Sequence, residues 1–396
     1  MKKSLLYMLV EGVSRGIPQV ILLYLAFTLA KNNFAILTLL YGLESLLVIL
    51  LPSNYIELLY KLHNNENKND LAYTILTMNV IVVTLLIMFA LLAEDKLTGF
   101  YNYNNIYVYI AIIFSALINS YMRFSRTQYQ LNFQHNEAIK IMLYSFGFAN
   151  IGMISFLFIF DDKIMAFFIG KALGFIAYFI FYIYKVKIKL YISQPLLADY
   201  LSRMKYLFVF SIYSWFFGYG FSYITKIIGT ENDVANIGYI ITFSMPFLLL
   251  ANGINQVYTP KVRKLIHDNF NLAIIFSKKI LYLYIGIFLS VILISGLINN
   301  LEYPVIKKFN YLFVISAVIF LFSSYKYVYD VYIYVYDQFE KYILGTMIIE
   351  TFTMLFIILT YYVLKIDLVY LYPLLILSRS AYVYKLIVKI RSKQVC

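Results

Sequence analysis

The run IMAFFIGKALGFIAYFIFYIY, residues 164–184, decides how this chain folds: it is apolar from end to end and carries one charge, Lys171. As a helix rising 1.5 Å per residue it measures about 30 Å, the hydrocarbon thickness of a bilayer. It begins after Asp161-Asp162-Lys163 and ends before Lys185, so polar residues mark both of its ends. A strand is excluded, because nothing in the run alternates and an open strand would leave backbone groups unpaired in hydrocarbon.

Working outward, eleven more such runs appear. The first six spans cover 5–30, 34–51, 71–93, 106–122, 138–160 and 164–184. The second six cover 206–228, 234–257, 280–298, 309–325, 341–363 and 368–387. The 396 residues are 62% hydrophobic and 13% charged, with a mean hydropathy of +0.76. A soluble domain is about half apolar and about a quarter charged. At about 20 residues per crossing, twelve spans use up the chain and leave no folded extramembrane domain. The fold class predicted is an all-α polytopic membrane protein with about twelve transmembrane helices. Met-Lys-Lys resembles the start of a secretory signal, but Glu11 and Arg15 interrupt the run and no small-residue cleavage site follows, so it reads as the first retained span.

The net charge of +13 is mostly topological. Connections on the side of the N-terminus hold 23 lysines and arginines, and those on the other side hold 6. The positive-inside rule then puts both termini in the cytoplasm and removes nucleic acid as a partner. The longest inward connection, 185–205, divides the spans six and six. We therefore expect an N-terminal bundle over 1–192 and a C-terminal bundle over 193–396, related by an axis along the membrane normal.

Much familiar chemistry is missing from the sequence. Gly170-Lys171 lacks the upstream glycine of a phosphate-binding loop and lies inside a span, so no ATPase is expected. His63, His135 and His267 fall in separate connections without ligand spacing, which argues against a metal site. One cysteine, Cys396, excludes a disulfide framework. Asp161-Asp162 could hold a metal in a membrane glycosyltransferase, but reads more simply as a solvated turn. No cofactor is expected.

What remains is charge where charge is expensive. Glu11, Arg15, Glu44, Lys171, Lys226, Glu350 and Arg379 lie within apolar runs. Each costs at least about 2.5–3.5 kcal/mol at a helix centre, so each should face protein or water. Four cations against three carboxylates suit an anionic ligand. Arg15, Lys171 and Arg379 are the deep candidates for binding it, with Lys226 near an outer helix end. Glu11 and Arg15 are four apart, so they form either an intrahelical pair or a cavity cation with its counter-ion. Glu44 and Glu350 have no cation at helical spacing and read as proton-coupling acids or as hydrogen-bonded neutral ones. Most of the 41 tyrosines cluster at span ends as interface anchors. Trp215, the one tryptophan, is the candidate for stacking on a sugar.

Some stretches look familiar. Tyr223-Ile224-Thr225-Lys226-Ile227-Ile228-Gly229 followed by Asp233-Val234-Ala235-Asn236-Ile237-Gly238-Tyr239 resembles a helix end, outer turn and helix entry of the MOP exporter superfamily, in particular its Wzx-type O-antigen and polysaccharide flippases. Asn255-Gln256-Val257-Tyr258-Thr259-Pro260-Lys261 is similar to the family's exit toward a cytoplasmic basic stretch, and Arg15 to Glu44 is similar in layout. Leu51-Pro52-Ser53-Asn54 departs from the glycine-rich end of span two seen in relatives. The resemblance implies two six-helix bundles in a MATE-like arrangement around a cationic cavity. It also implies alternating access for an undecaprenyl-diphosphate-linked oligosaccharide in a bacterial cytoplasmic membrane. Its partners would be the lipid-linked oligosaccharide, the bilayer and other glycan-assembly membrane proteins, with H+ or Na+ as a coupling ion. A cation-coupled drug exporter of the same superfamily, and a membrane glycosyltransferase or polymerase, are the alternatives.

Overall fold

The structure is a computed structural model that describes residues 2–55, 68–132, 134–186, 189–300, 304–336 and 338–395. The chain is helical, and no strand occurs among the described residues. In chain order the helices are α1 (Lys2–Thr28), α2 (Lys31–Leu50), α3 (Lys68–Leu92), α4 (Glu94–Tyr101), α5 (Ile106–Leu131), α6 (His135–Ile159) and α7 (Lys163–Val186). There follow α8 (Gln194–Phe216), α9 (Phe221–Ile228), α10 (Glu231–Asp268), α11 (Phe270–Asn300), α12 (Pro304–Val335), α13 (Phe339–Leu364) and α14 (Leu368–Val395).

Among the described residues, ten helices are long and apolar enough to cross a membrane, or eleven when α8 and α9 count as one span. With α1, 27 residues long, the plan of about twelve spans holds. The seventh span is broken, with 207–216 and 221–228 meeting at 48°. Gly218 and Gly220 sit at the break, and both donate their N–H to Trp215 O, at 3.0 and 2.8 Å. Several helices show large apolar side chains to the outside, such as Leu85, Phe89 and Leu92 on α3 and Leu289, Leu293 and Leu297 on α11. Rows of exposed apolar side chains on successive helices are stable only against lipid. This is a multi-pass membrane protein.

The chain forms two compact units, Met1–Tyr223 and Ile224–Cys396. α8, which begins at Gln194 inside the 185–205 connection, packs on α2 and α3 and so falls with the first unit. Within the first unit α5 is central, packing against α2, α3, α6 and α7. In the second unit α12 takes that place, against α10, α11, α13 and α14. These are the fourth spans of the first and second sets of six, so the same position in the order carries the core twice.

Local chemistry explains the ends. Thr230 and Asp233 form a capping box that starts α10 after a short turn at Gly229, in keeping with the turn expected there. α10 then continues to Asp268, past the helix exit that the sequence places after Val257. The Pro52–Asn54 stretch makes a single 3-10 turn. That turn is clipped by the buried Asn79, whose Nδ2 donates to Ser53 Oγ at 2.7 Å, and by Tyr200, whose hydroxyl donates to Pro52 O at 2.6 Å. A proline turn held by neighbouring helices ends α2 without the glycines expected there.

Candidate functional site

In the first unit the site begins with a backbone seam. A Cβ on Gly174 would fall on Phe148 O, and one on Gly152 would fall on Gly170 O. Gly170 and Gly174, four apart on α7, therefore let α7 lie directly on α6, as small residues at this spacing do in membranes. Lys171 stands between them. Its ammonium reaches α2, donating to Glu44 Oε1 at 2.7 Å and Oε2 at 2.8 Å. The pair is 9% and 5% exposed at the side chains. The rings of Tyr41 and Phe167 lie 5.5 and 5.8 Å from the Lys171 nitrogen. Tyr41, one turn from Glu44, meets the ring of Tyr219 edge-on, with centroids 5.4 Å apart. Glu44 has both oxygens on one ammonium, and the charge is closed off by aromatic walls.

The second unit holds a looser arrangement. Gly345 gives α13 room to meet Tyr382 of α14, where any Cβ would strike the phenol. Tyr382 OH donates to Lys341 O at 2.9 Å and pins the same contact. One turn away, Arg379 Nε donates to Glu350 Oε1. Glu350 is 1% exposed and Arg379 15% at the side chain. Two more charges come from α12: Lys326 and Asp330, four residues apart and 4.0 Å from each other. Lys326 lies within electrostatic reach of Arg379 and Glu350, and Asp330 within reach of Arg379. Glu350 Oε2 and Asp330 Oδ1 are buried without a hydrogen-bond partner. Two cations and two carboxylates thus lie near one another inside the second unit, with acceptor capacity left over.

The remaining candidates fall as follows. Lys226 on α9 is half-buried, with Glu231 as an opposite charge acting on it. Trp215 is buried, and its indole N–H is committed to Gly42 O at 3.0 Å and Ser45 Oγ at 2.9 Å, which makes it a clamp of α8 on α2. The side chains of Glu11 and Arg15 lie outside the described residues, as do His63 and His267. No group of three or more metal-ligating side chains occurs among the described residues.

Asp162 is spent on structure. Its Oδ1 accepts from the backbone N–H of Ile164 and Met165, both at 3.0 Å, and so caps α7. Its Oδ2 accepts from Tyr103 OH at 2.6 Å. Burial, followed by that carboxylate, pushes the Tyr103 phenol well above its ordinary pKa. Lys163 donates to the last carbonyls of α6, Leu157 O at 2.8 Å and Phe160 O at 2.9 Å. The turn is a double cap.

Lys326 and Asp330 escape the sequence reading, which ends the tenth span at Tyr325 and counts Lys326 with the inward connection. α12 instead continues to Val335. Their four-residue spacing is the signal that finds them. The acids Glu44 and Glu350 do lack a cation at helical spacing on their own helices, and each receives one from another helix.

The sequence matches no protein-family model and no curated protein. The fold does match known structures. An inward-facing multidrug resistance MATE family transporter of the MOP superfamily superposes with a TM-score of 0.70 at 13% identity, over 96% of this chain and 94% of that one. The MATE multidrug transporter DinF-BH, solved in complex with a ligand, gives 0.69 at 13% identity, over 98% and 94%. A MOP superfamily transporter from Pyrococcus furiosus, described as having a binding pocket of reversed polarity, gives 0.62 at 14% identity, over 99% and 93%. The chain is thus a helical membrane protein that shares the fold of these MATE structures.

Proposed function

We propose that this protein is a transporter that moves a lipid-linked oligosaccharide, carried on a diphosphate, from the inner to the outer leaflet by alternating access. The observation that carries this reading is the position of the buried cations. Lys171 and Arg379 occupy the last span of each set of six, each held by a carboxylate of another helix. A buried ammonium or guanidinium cannot stand alone, and the paired acid keeps it charged while no cargo is present. A diphosphate offers the same charge-assisted bonds as the carboxylate it replaces. Arg15 and Lys226 would extend the cationic path. Glu44 and Glu350, released when the phosphate takes over their partners, become the groups that can take up H+ or Na+, which couples cargo exchange to an ion gradient.

Under this reading the protein works in a bacterial cytoplasmic membrane, with both termini inside and other glycan-assembly proteins around it. Arg379→Ala or Lys171→Ala abolishes display of the surface glycan while the protein still reaches the membrane. Normal display in both variants overturns the reading.

A second reading, a cation-coupled exporter of small molecules, draws on the partnerless oxygens of Glu350 and Asp330, which would attract a cationic compound. It predicts that Asp330→Asn alters sensitivity to cationic dyes and leaves glycan display intact. The glycosyltransferase reading has less to stand on, since Asp162 already uses both oxygens in capping and in holding Tyr103.

A further inference from the structure

The first unit also contains a cavity of about 270 Å³, placed where α3 begins and α5 and α7 end. That is well above the roughly 10–15 Å³ one water needs and just below the ~300 Å³ at which small-molecule sites begin. Its buried floor is made by Tyr121, Ser125 and Tyr182. Tyr129 and Gln128 form one wall, and Gln134 stands exposed at the mouth.

The cavity carries no charge among the described residues that line it. This is notable because two arginines lie in the same turns of α5. Both turn elsewhere: Arg123 donates to Asn54 Oδ1 at 3.4 Å, and Arg126 directs Nη1 at Met142 Sδ, 3.2 Å away. The cavity therefore combines aromatic rings with neutral donors and acceptors. An acyl chain would press hydrocarbon against the phenols and the Ser125 hydroxyl, and an anion would find no counter-charge among the described residues that line the cavity. A sugar ring, with C–H faces for the phenols and hydroxyls for the amides, fits both halves of the lining.

We propose that this cavity binds a single uncharged sugar ring, so that the glycan is recognised at a neutral site apart from the cations that meet the diphosphate. The inference rests on the reading of the cargo as a lipid-linked oligosaccharide. On the side that the lysine and arginine count assigns to the cytoplasm, it would be the place where the glycan is first engaged.

The test uses the purified full chain in lipid nanodiscs and saturation-transfer NMR. The probes are the methyl glycosides of glucose, galactose and N-acetylglucosamine, with methyl glucuronide as the charged control. At least one neutral glycoside receives saturation and the glucuronide does not. Gln128→Leu and Tyr129→Leu each weaken binding about tenfold, the scale of one lost hydrogen bond or ring contact. Gln134→Leu, at the exposed mouth where folding is safe, weakens it about threefold. Lys171→Ala keeps sugar binding while glycan display is lost. Normal display in Lys171→Ala and Arg379→Ala removes the transport reading even if sugars bind. Absence of saturation in every neutral glycoside, or binding unchanged in all three cavity variants, overturns the sugar site and leaves a water-filled void.

Discussion

Two buried ion pairs whose cations lie on corresponding spans of the two units are built in opposite ways. Lys171 and Glu44 form a closed pair: one ammonium, one carboxylate, two short bonds and aromatic rings beside the cation. Arg379 and Glu350 share their surroundings with Lys326 and Asp330, and two carboxylate oxygens have no partner. The first pair satisfies itself. The second is a network with spare acceptors, and in a low-dielectric interior spare acceptors invite a proton, an ion or a cargo group. The same mean polarity thus yields a self-contained pair in one unit and a network with open acceptors in the other.

The sharpest way to break this comparison is to remove one partner from each pair. Lys171→Met strands Glu44 and destabilises the detergent-solubilised protein by ~3–5 kcal/mol, read as a fall in the thermal midpoint. Adding Glu44→Leu recovers most of that loss, because a closed pair can be replaced by apolar groups of similar size. In the second unit Arg379→Met with Glu350→Leu recovers little, since Lys326 and Asp330 are left with altered partners. Equal recovery in the two units would mean that both pairs are self-contained.

A smaller effect sharpens the positional half of the argument. Gly174→Leu pushes α7 off α6 and costs ~1–3 kcal/mol or more, while moving the Lys171 ammonium away from Glu44. The same residue change at Gly147 on α6, where a Cβ meets nothing within 4 Å, stays within about 0.5 kcal/mol. Comparable losses at the two positions would show that the seam does not set the pair.

How much of this is legible in the sequence follows from which forces act locally. Hydropathy over about 20 residues is a local quantity, so the spans, and with them the fold class, can be read directly. Glu44, Lys171, Glu350 and Arg379 can be singled out because each violates that local rule. Their pairing cannot, since Lys171 and Glu44 lie 127 positions apart and meet only through the packing of α7, α6 and α2. Trp215 shows the limit from the other side. An aromatic ring with one donor looks the same in sequence whether it stacks on a ligand or clamps a neighbouring carbonyl.

Two milder predictions bear on residues that the comparison treats as scaffold. Trp215→Phe loses the bonds to Gly42 O and Ser45 Oγ and costs ~0.5–1.5 kcal/mol, with glycan display retained. Loss of display without loss of stability would return Trp215 to the binding site. Asp162→Asn removes the charge facing Tyr103 but keeps a capping oxygen, so the α7 cap loses only its charge–dipole part, ~0.3–1 kcal/mol. Because the carboxylate adds to the burial that holds the phenol protonated, the substitution lowers the Tyr103 pKa toward its ordinary value. A difference ultraviolet titration at alkaline pH reads that shift, and an unchanged curve would refute the contact.

The seam between α6 and α7 has a mechanical consequence. Where backbone rests on backbone there is no layer of side chains to deform, so the two helices cannot slide along one another as packed helices ordinarily do. They form a single stiff plank, and a lysine rooted in that plank cannot be re-aimed by small repacking. To separate Lys171 from Glu44, the protein must carry α2 away from the plank as a body, which makes α2 the moving part of that latch.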